Sequence, residues 1–189
     1  MRTCNACGTG DDVERPFEGW KRRVLVLSVQ LTRIRCSCGS RAHNSKMSDM
    51  NDPFHLQRFV DAQSGVIDRV YAELRAGKKH SHWMWFIFPQ IRGLGSSRMA
   101  QEFAISSLAE ANAYVAHPVL GLRLKTCTEL AKAIEGRSIE EILGYPDHLK
   151  FHSSMTLFAC AAPDELVFQA ALHKFFGGNF DQSTLDRLR

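Results

Sequence analysis

The sequence predicts an all-α fold: a single compact multihelical domain with one irregular aromatic-rich loop or short extended segment near residues 78–97. Three observations carry this. Apolar residues recur at helical spacing from Pro53 to the end. Glycine and proline punctuate those stripes at helix-length intervals. One stretch, Trp83–Phe88, is apolar at every position and has no amphipathic face. Apolar residues make up 44% of the chain and charged residues 23%, the balance of a folded globular protein rather than a disordered one.

Asp52 and Pro53 suit the start of the first helix, Asp as a cap and Pro in the first turn. Leu56, Phe59, Val60, Ile67, Val70, Tyr71 and Leu74 form one stripe that Gly77 stops. A second helix is expected from about Ser107 to Ala116, with Pro118 restarting the chain. Leu120, Leu124, Cys127, Ala131 and Ile134 mark a third, ended by Gly136. Ser138 and Glu141 have capping-box spacing for a short helix before Gly144. Asp147 can cap a helix to about Ala161 that is apolar nearly all round from Met155, the pattern of a central buried helix. A helix over Pro163–Phe176 follows, closed by Gly177-Gly178, and Asp181 opens a last short one.

Residues 1–46 differ from this. They hold nine Lys/Arg against four Asp/Glu, whereas residues 47–189 hold fifteen against sixteen. They also hold Cys4, Cys7, Cys36 and Cys38, four of the six cysteines. Three readings fit them. One is a zinc module built on Cys4-x-x-Cys7 and Cys36-x-Cys38, although the second pair is tighter than zinc knuckles use. Another is a poorly structured tail. The third is a mis-assigned start upstream of Met47, which the abrupt change in composition favours. The sequence therefore divides into an N-terminal extension, 1–46, and a helical domain, 47–189.

No apolar run approaches the roughly 18 residues that cross a bilayer, and no secretory signal is recognisable. Cys127 and Cys160 lie alone in apolar helical patterns, as reduced cysteines of a cytoplasmic protein do. The near-neutral main domain lacks the basic stripe that phosphate backbones require, which argues against nucleic acid. No motif assigns a cofactor, and nothing identifies a protein partner.

Ser81-His82-Trp83-Met84-Trp85-Phe86-Ile87-Phe88-Pro89-Gln90 followed by Gly93-Leu94-Gly95 resembles the signature of the bacterial DUF1810 family. Ala116-His117-Pro118-Val119-Leu120-Gly121-Leu122-Arg123-Leu124 fits the same family. So do Lys150 with Ser153-Ser154-Met155-Thr156-Leu157-Phe158, and Phe175-Phe176-Gly177-Gly178. The resemblance runs from about Asp52 to Leu188 and leaves out residues 1–46. It implies a mainly helical protein, often mislabelled calpastatin, and supplies no activity. His80 departs from it, standing where a basic residue is expected.

The chemistry-bearing residues gather in two places. Lys79, Ser81 and His82 precede Trp83 and Trp85, and Gln90, Gly95 and Ser97 follow. Lysine neutralises an anion and an indole offers a stacking face, so this segment is a candidate site for a small anionic, nucleotide-like ligand. The plainer alternative is a solvated basic turn leading into core aromatics. Gly93-Leu94-Gly95-Ser96-Ser97 matches neither the dinucleotide nor the Walker fingerprint, and its serines suit a helix cap equally well. Lys150 and Ser153 share one helix face and would close the other side. If chemistry occurs, His82 is the candidate general acid or base, because its pKa lies nearest neutrality. The pairs His80/His82 and His148/His152 have chelating spacing without an accompanying carboxylate pattern. The competing function is a non-catalytic protein-interaction module, with the aromatics as core and an apolar patch on the surface. The two diverge on whether the Trp segment meets Lys150 and Ser153 across a cleft.

Overall fold

A computed structural model describes residues 52–189. The extension, its four cysteines and the boundary at Met47 lie outside the described residues. The Asp52 carboxylate accepts hydrogen bonds from the Leu56 and Gln57 amides at 2.8 and 2.9 Å, so it caps the entry to α1 (Gln57–Ser64). The first apolar stripe is two helices rather than one. After Gly65 the chain leaves helical geometry at Val66, with φ −129°, and α2 (Ile67–Arg75) starts afresh. The break leaves Phe59, Val70 and Leu74 facing the same core.

The irregular segment follows. Within it Trp83–Phe88 is not extended: Met84–Ile87 forms α3, a single helical turn. One turn leaves most of its carbonyls without intrahelical partners. The Phe86 carbonyl is met instead by Gln63 Nε2 at 2.7 Å and by the Tyr114 hydroxyl at 3.1 Å, both from buried side chains. These partners let a polar turn sit inside an apolar core. The only ladder-like contact among the described residues is a parallel bridge between Ile91 and Ile105, which flanks α4 (Arg98–Glu102).

The remaining helices fall where the sequence places them: α5 (Leu108–Ala116), α6 (Leu120–Lys132), α7 (Ile139–Leu143), α8 (Asp147–Ala161), α9 (Leu166–Phe176) and α10 (Gln182–Leu188). Ser138 and Glu141 make the expected reciprocal capping box on α7. The α5–α6 junction explains its own sequence. His117 Nδ1 accepts from the Val119 and Leu120 amides and so caps α6. Gly121 lies so close to α5 that an added Cβ would stand 1.9 Å from the Val115 carbonyl oxygen. Helix α8 is the central element, buried from Ser153 through Ala159 and packed against α5, α7, α9 and α10. Phe151 and Phe158 on α8 are fully buried, and each contributes about 1.5–3 kcal/mol by burial. No described helix is long and apolar enough to cross a membrane.

Candidate functional site

The 78–83 loop is held from inside by Glu73, which sits on the apolar face of α2. Its Oε2 accepts from the His80 amide at 2.9 Å, the Ser81 amide at 3.1 Å and the Trp83 indole N–H at 2.8 Å. Its Oε1 accepts from the Ser81 hydroxyl at 2.6 Å. Burial pushes this carboxyl's pKa up, but the four donors outweigh it and bring the group down to about 2. The Lys79 amide donates to the Ile142 carbonyl, which ties the loop to α7 as well.

This anchoring decides what the loop residues can do. Trp83 is 1% exposed, with its ring in the core and its N–H on Glu73, so its stacking face is not open to a ligand. Ser81 is a Glu73 ligand. Lys79 is also committed: its side chain is only 8% exposed, its ammonium lies 5.4 Å from the centre of the Trp83 ring, and it pairs with Asp147 Oδ2 at 2.7 Å. His82 is exposed.

Asp147, at the start of α8, binds a second lysine through its other oxygen, with Lys150 Nζ 2.6 Å from Oδ1. Burial raises the Asp147 pKa, and the hydrogen bonds and charges of Lys150 and Lys79 reverse this and hold it below the ordinary carboxylate range. Lys150 keeps 22% of its side chain exposed and lies over the Trp85 ring at 4.9 Å. The α3 turn, the loop before α4 and the start of α8 thus enclose a cleft of about 450 Å³. Trp85, Gln90, Gly95, Ser97 and Lys150 stand in its wall.

The loop side of the cleft is set by close packing. An added Cβ on Gly95 would lie 2.4 Å from the Ala100 Cβ, and Ser97 caps α4 by accepting from the Ala100 amide at 3.2 Å. Arg187 on α10 donates to the Gly93 carbonyl at 2.9 Å and fixes the loop from outside. The Gln90 side-chain amide makes no hydrogen bond to another described residue and is left to the cleft.

Of the residues singled out in the sequence, Trp85, Gln90, Gly95, Ser97 and Lys150 converge on one cleft. Lys79, Ser81, His82, Trp83 and Ser153 do not line it. Ser153 is buried and donates to Thr184 Oγ1 at 2.6 Å, while the Thr184 hydroxyl donates to Asp181. Ser153 therefore docks α10 onto α8. Asp147 is readable in the sequence only as a helix-start residue, although an Asp three positions before Lys150 is the spacing of a helical ion pair. Among the described residues no three His, Cys, Asp or Glu side chains gather as a metal site would require.

No curated protein matches the chain. It is similar to a conserved hypothetical protein, Rv1873, from Mycobacterium tuberculosis, whose crystal structure was solved at 1.38 Å. The two share 56% identity and a TM-score of 0.72, over 72% of this chain and 98% of that one. The model of the family described as "Protein of unknown function (DUF1810)" matches residues 53–188. The chain belongs to the DUF1810 family.

Proposed function

We propose that the protein binds a small ligand that combines a planar ring with one anionic group, of the nucleoside monophosphate kind, in the cleft between Trp85 and Lys150. The observation that supports this most is the Lys150 ammonium resting over the Trp85 ring at 4.9 Å at an open cleft wall. A ligand's ring can take over the indole face while its anion takes the ammonium. Gln90 adds an amide that both donates and accepts, which suits the edge of a heterocycle. His82, the candidate acid or base, does not line the cleft, and the polar side chains that do are suited to orienting a ligand. Binding without chemistry is therefore the function proposed.

The test is a thermal-shift titration of the full chain with AMP, adenosine and inorganic phosphate. A ligand at a hundredfold excess over its Kd adds about 2.7 kcal/mol to native stability, a rise on the order of 5–10 °C for a domain of this size. AMP should produce such a rise and the two halves much less. Lys150→Met should abolish the AMP shift while leaving the circular dichroism spectrum unchanged. No shift with AMP in a folded sample sinks the proposal.

A second reading has its own observation. Tyr145 is 78% exposed and Leu149, which lines the cleft, is 51% exposed, large apolar side chains of the kind a protein partner covers. On that reading AMP leaves the melting temperature unchanged.

A further inference from the structure

We infer that Asp147 is a specificity-determining residue of this cleft, sharing its carboxylate between Lys79 and Lys150 and so restricting the cleft to ligands that carry a single phosphate-sized charge. This rests on the cleft being the anion site proposed above. Two lysines near one cleft would by number alone suit a di- or triphosphate. The geometry removes one of them. Asp147 Oδ2 is taken by Lys79 at 2.7 Å and Oδ1 by Lys150 at 2.6 Å, so the three groups carry one net positive charge.

The arrangement is fixed in advance. Lys79 is held by its own amide on Ile142 and by its burial against Trp83, and the loop that carries it is clamped by Glu73. Asp147 lies in the first turn of the central helix. Neither partner is free to swing away when a ligand enters. Lys150 has three N–H donors and gives one to Asp147, which leaves two for an incoming anion. A single phosphate fits that capacity. Among the described residues that line the cleft Lys150 is the one cation, so further phosphates would meet no second one in its wall.

The inference is tested by calorimetric titration of the full chain with AMP and with ATP, both without divalent cations. The wild type should bind AMP more tightly than ATP. Asp147→Asn keeps the shape and one acceptor but raises the local charge by one unit. The gain scales with ligand charge, and AMP carries about two negative charges near neutral pH and ATP about four. Affinity should therefore rise about threefold for AMP and about tenfold for ATP, which narrows or reverses the preference. Adding Lys79→Gln to Asp147→Asn restores the net charge and should restore the wild-type preference, an outcome that a purely positional role for Asp147 does not produce.

Should Asp147→Asn alone fail to fold, Lys79→Gln in the wild-type background takes the local charge to zero and should weaken ATP more than AMP. The inference is overturned if the wild type binds ATP as well as AMP, or if the charge variants move both nucleotides by the same factor. Failure of both nucleotides to bind the wild type overturns the anion site itself, a distinguishable result.

Discussion

Glu73 lies outside the cleft, yet its removal should be among the most damaging single changes near it. Four donors converge on its carboxylate, and one of them, the Trp83 indole N–H, has no route to water because the side chain is 1% exposed. In Glu73→Ala that buried donor is orphaned, at about 1–3 kcal/mol. The His80 and Ser81 groups lie nearer the surface and recover part of their hydrogen bonding from water, so they add roughly 1–2 kcal/mol together. The total is about 2–5 kcal/mol. Glu73→Gln can keep its oxygen where Oε2 lies and turn its NH₂ toward the Ser81 hydroxyl, losing only the charge assistance, about 1–2 kcal/mol.

Urea unfolding followed by tryptophan fluorescence measures both, with an unchanged m-value expected. The pH dependence gives a second, independent check. The Glu73 pKa falls from an ordinary 4.5 to about 2 on folding, so its contribution is complete above about pH 4.5 and is lost as pH falls toward 2. The stability gap between wild type and Glu73→Gln should therefore shrink over that window. A Glu73→Ala variant within 1 kcal/mol of wild type at pH 7, or a gap that does not change between pH 5 and 2, would refute the assignment of Glu73 as the clamp of the loop.

Two further outcomes follow from packing and burial. Gly95→Ala places a methyl 2.4 Å from the Ala100 Cβ and should cost about 1–3 kcal/mol in chemical unfolding, whereas Ala100→Gly in the same chain opens the space and should recover part of the loss. Burial pushes the Cys127 thiol up to about 12, and only a thiolate is alkylated at an appreciable rate; mass-spectrometric mapping after iodoacetamide treatment of the native protein should find Cys127 unmodified, with Cys160 modified before it.

The helices were legible because each carries its own local signal. Ser138 and Glu141 name a capping box from their spacing alone, and α8 is apolar nearly all round from Met155 because it is buried there, from Ser153 through Ala159. Periodicity did not show the break at Gly65. Two short helices can carry the same apolar stripe as one long helix, and a lone glycine in that stripe is silent about which occurs. Nor did it show that Trp83–Phe88 coils into a turn. That depends on Gln63 and Tyr114 arriving from distant helices to meet the Phe86 carbonyl.

For the candidate site, residue type pointed to a region where a cleft lies and could not tell which of its members line that cleft. Trp83 and Trp85 are two positions apart and alike in sequence, but on a helical turn they face opposite ways, so one is core and the other a wall of the cleft. Lys79 and Lys150 look equally available as written, and a single acid separates them. Asp147 leaves Lys79 enclosed and Lys150 part-exposed, because one pairs with it beneath the loop and the other from the next turn of the same helix. A count of cations in the sequence therefore overstates what an anion would meet. The charge available to a ligand depends on where the carboxylates lie, and among the described residues lining this cleft it is the one positive charge of Lys150, at the start of α8.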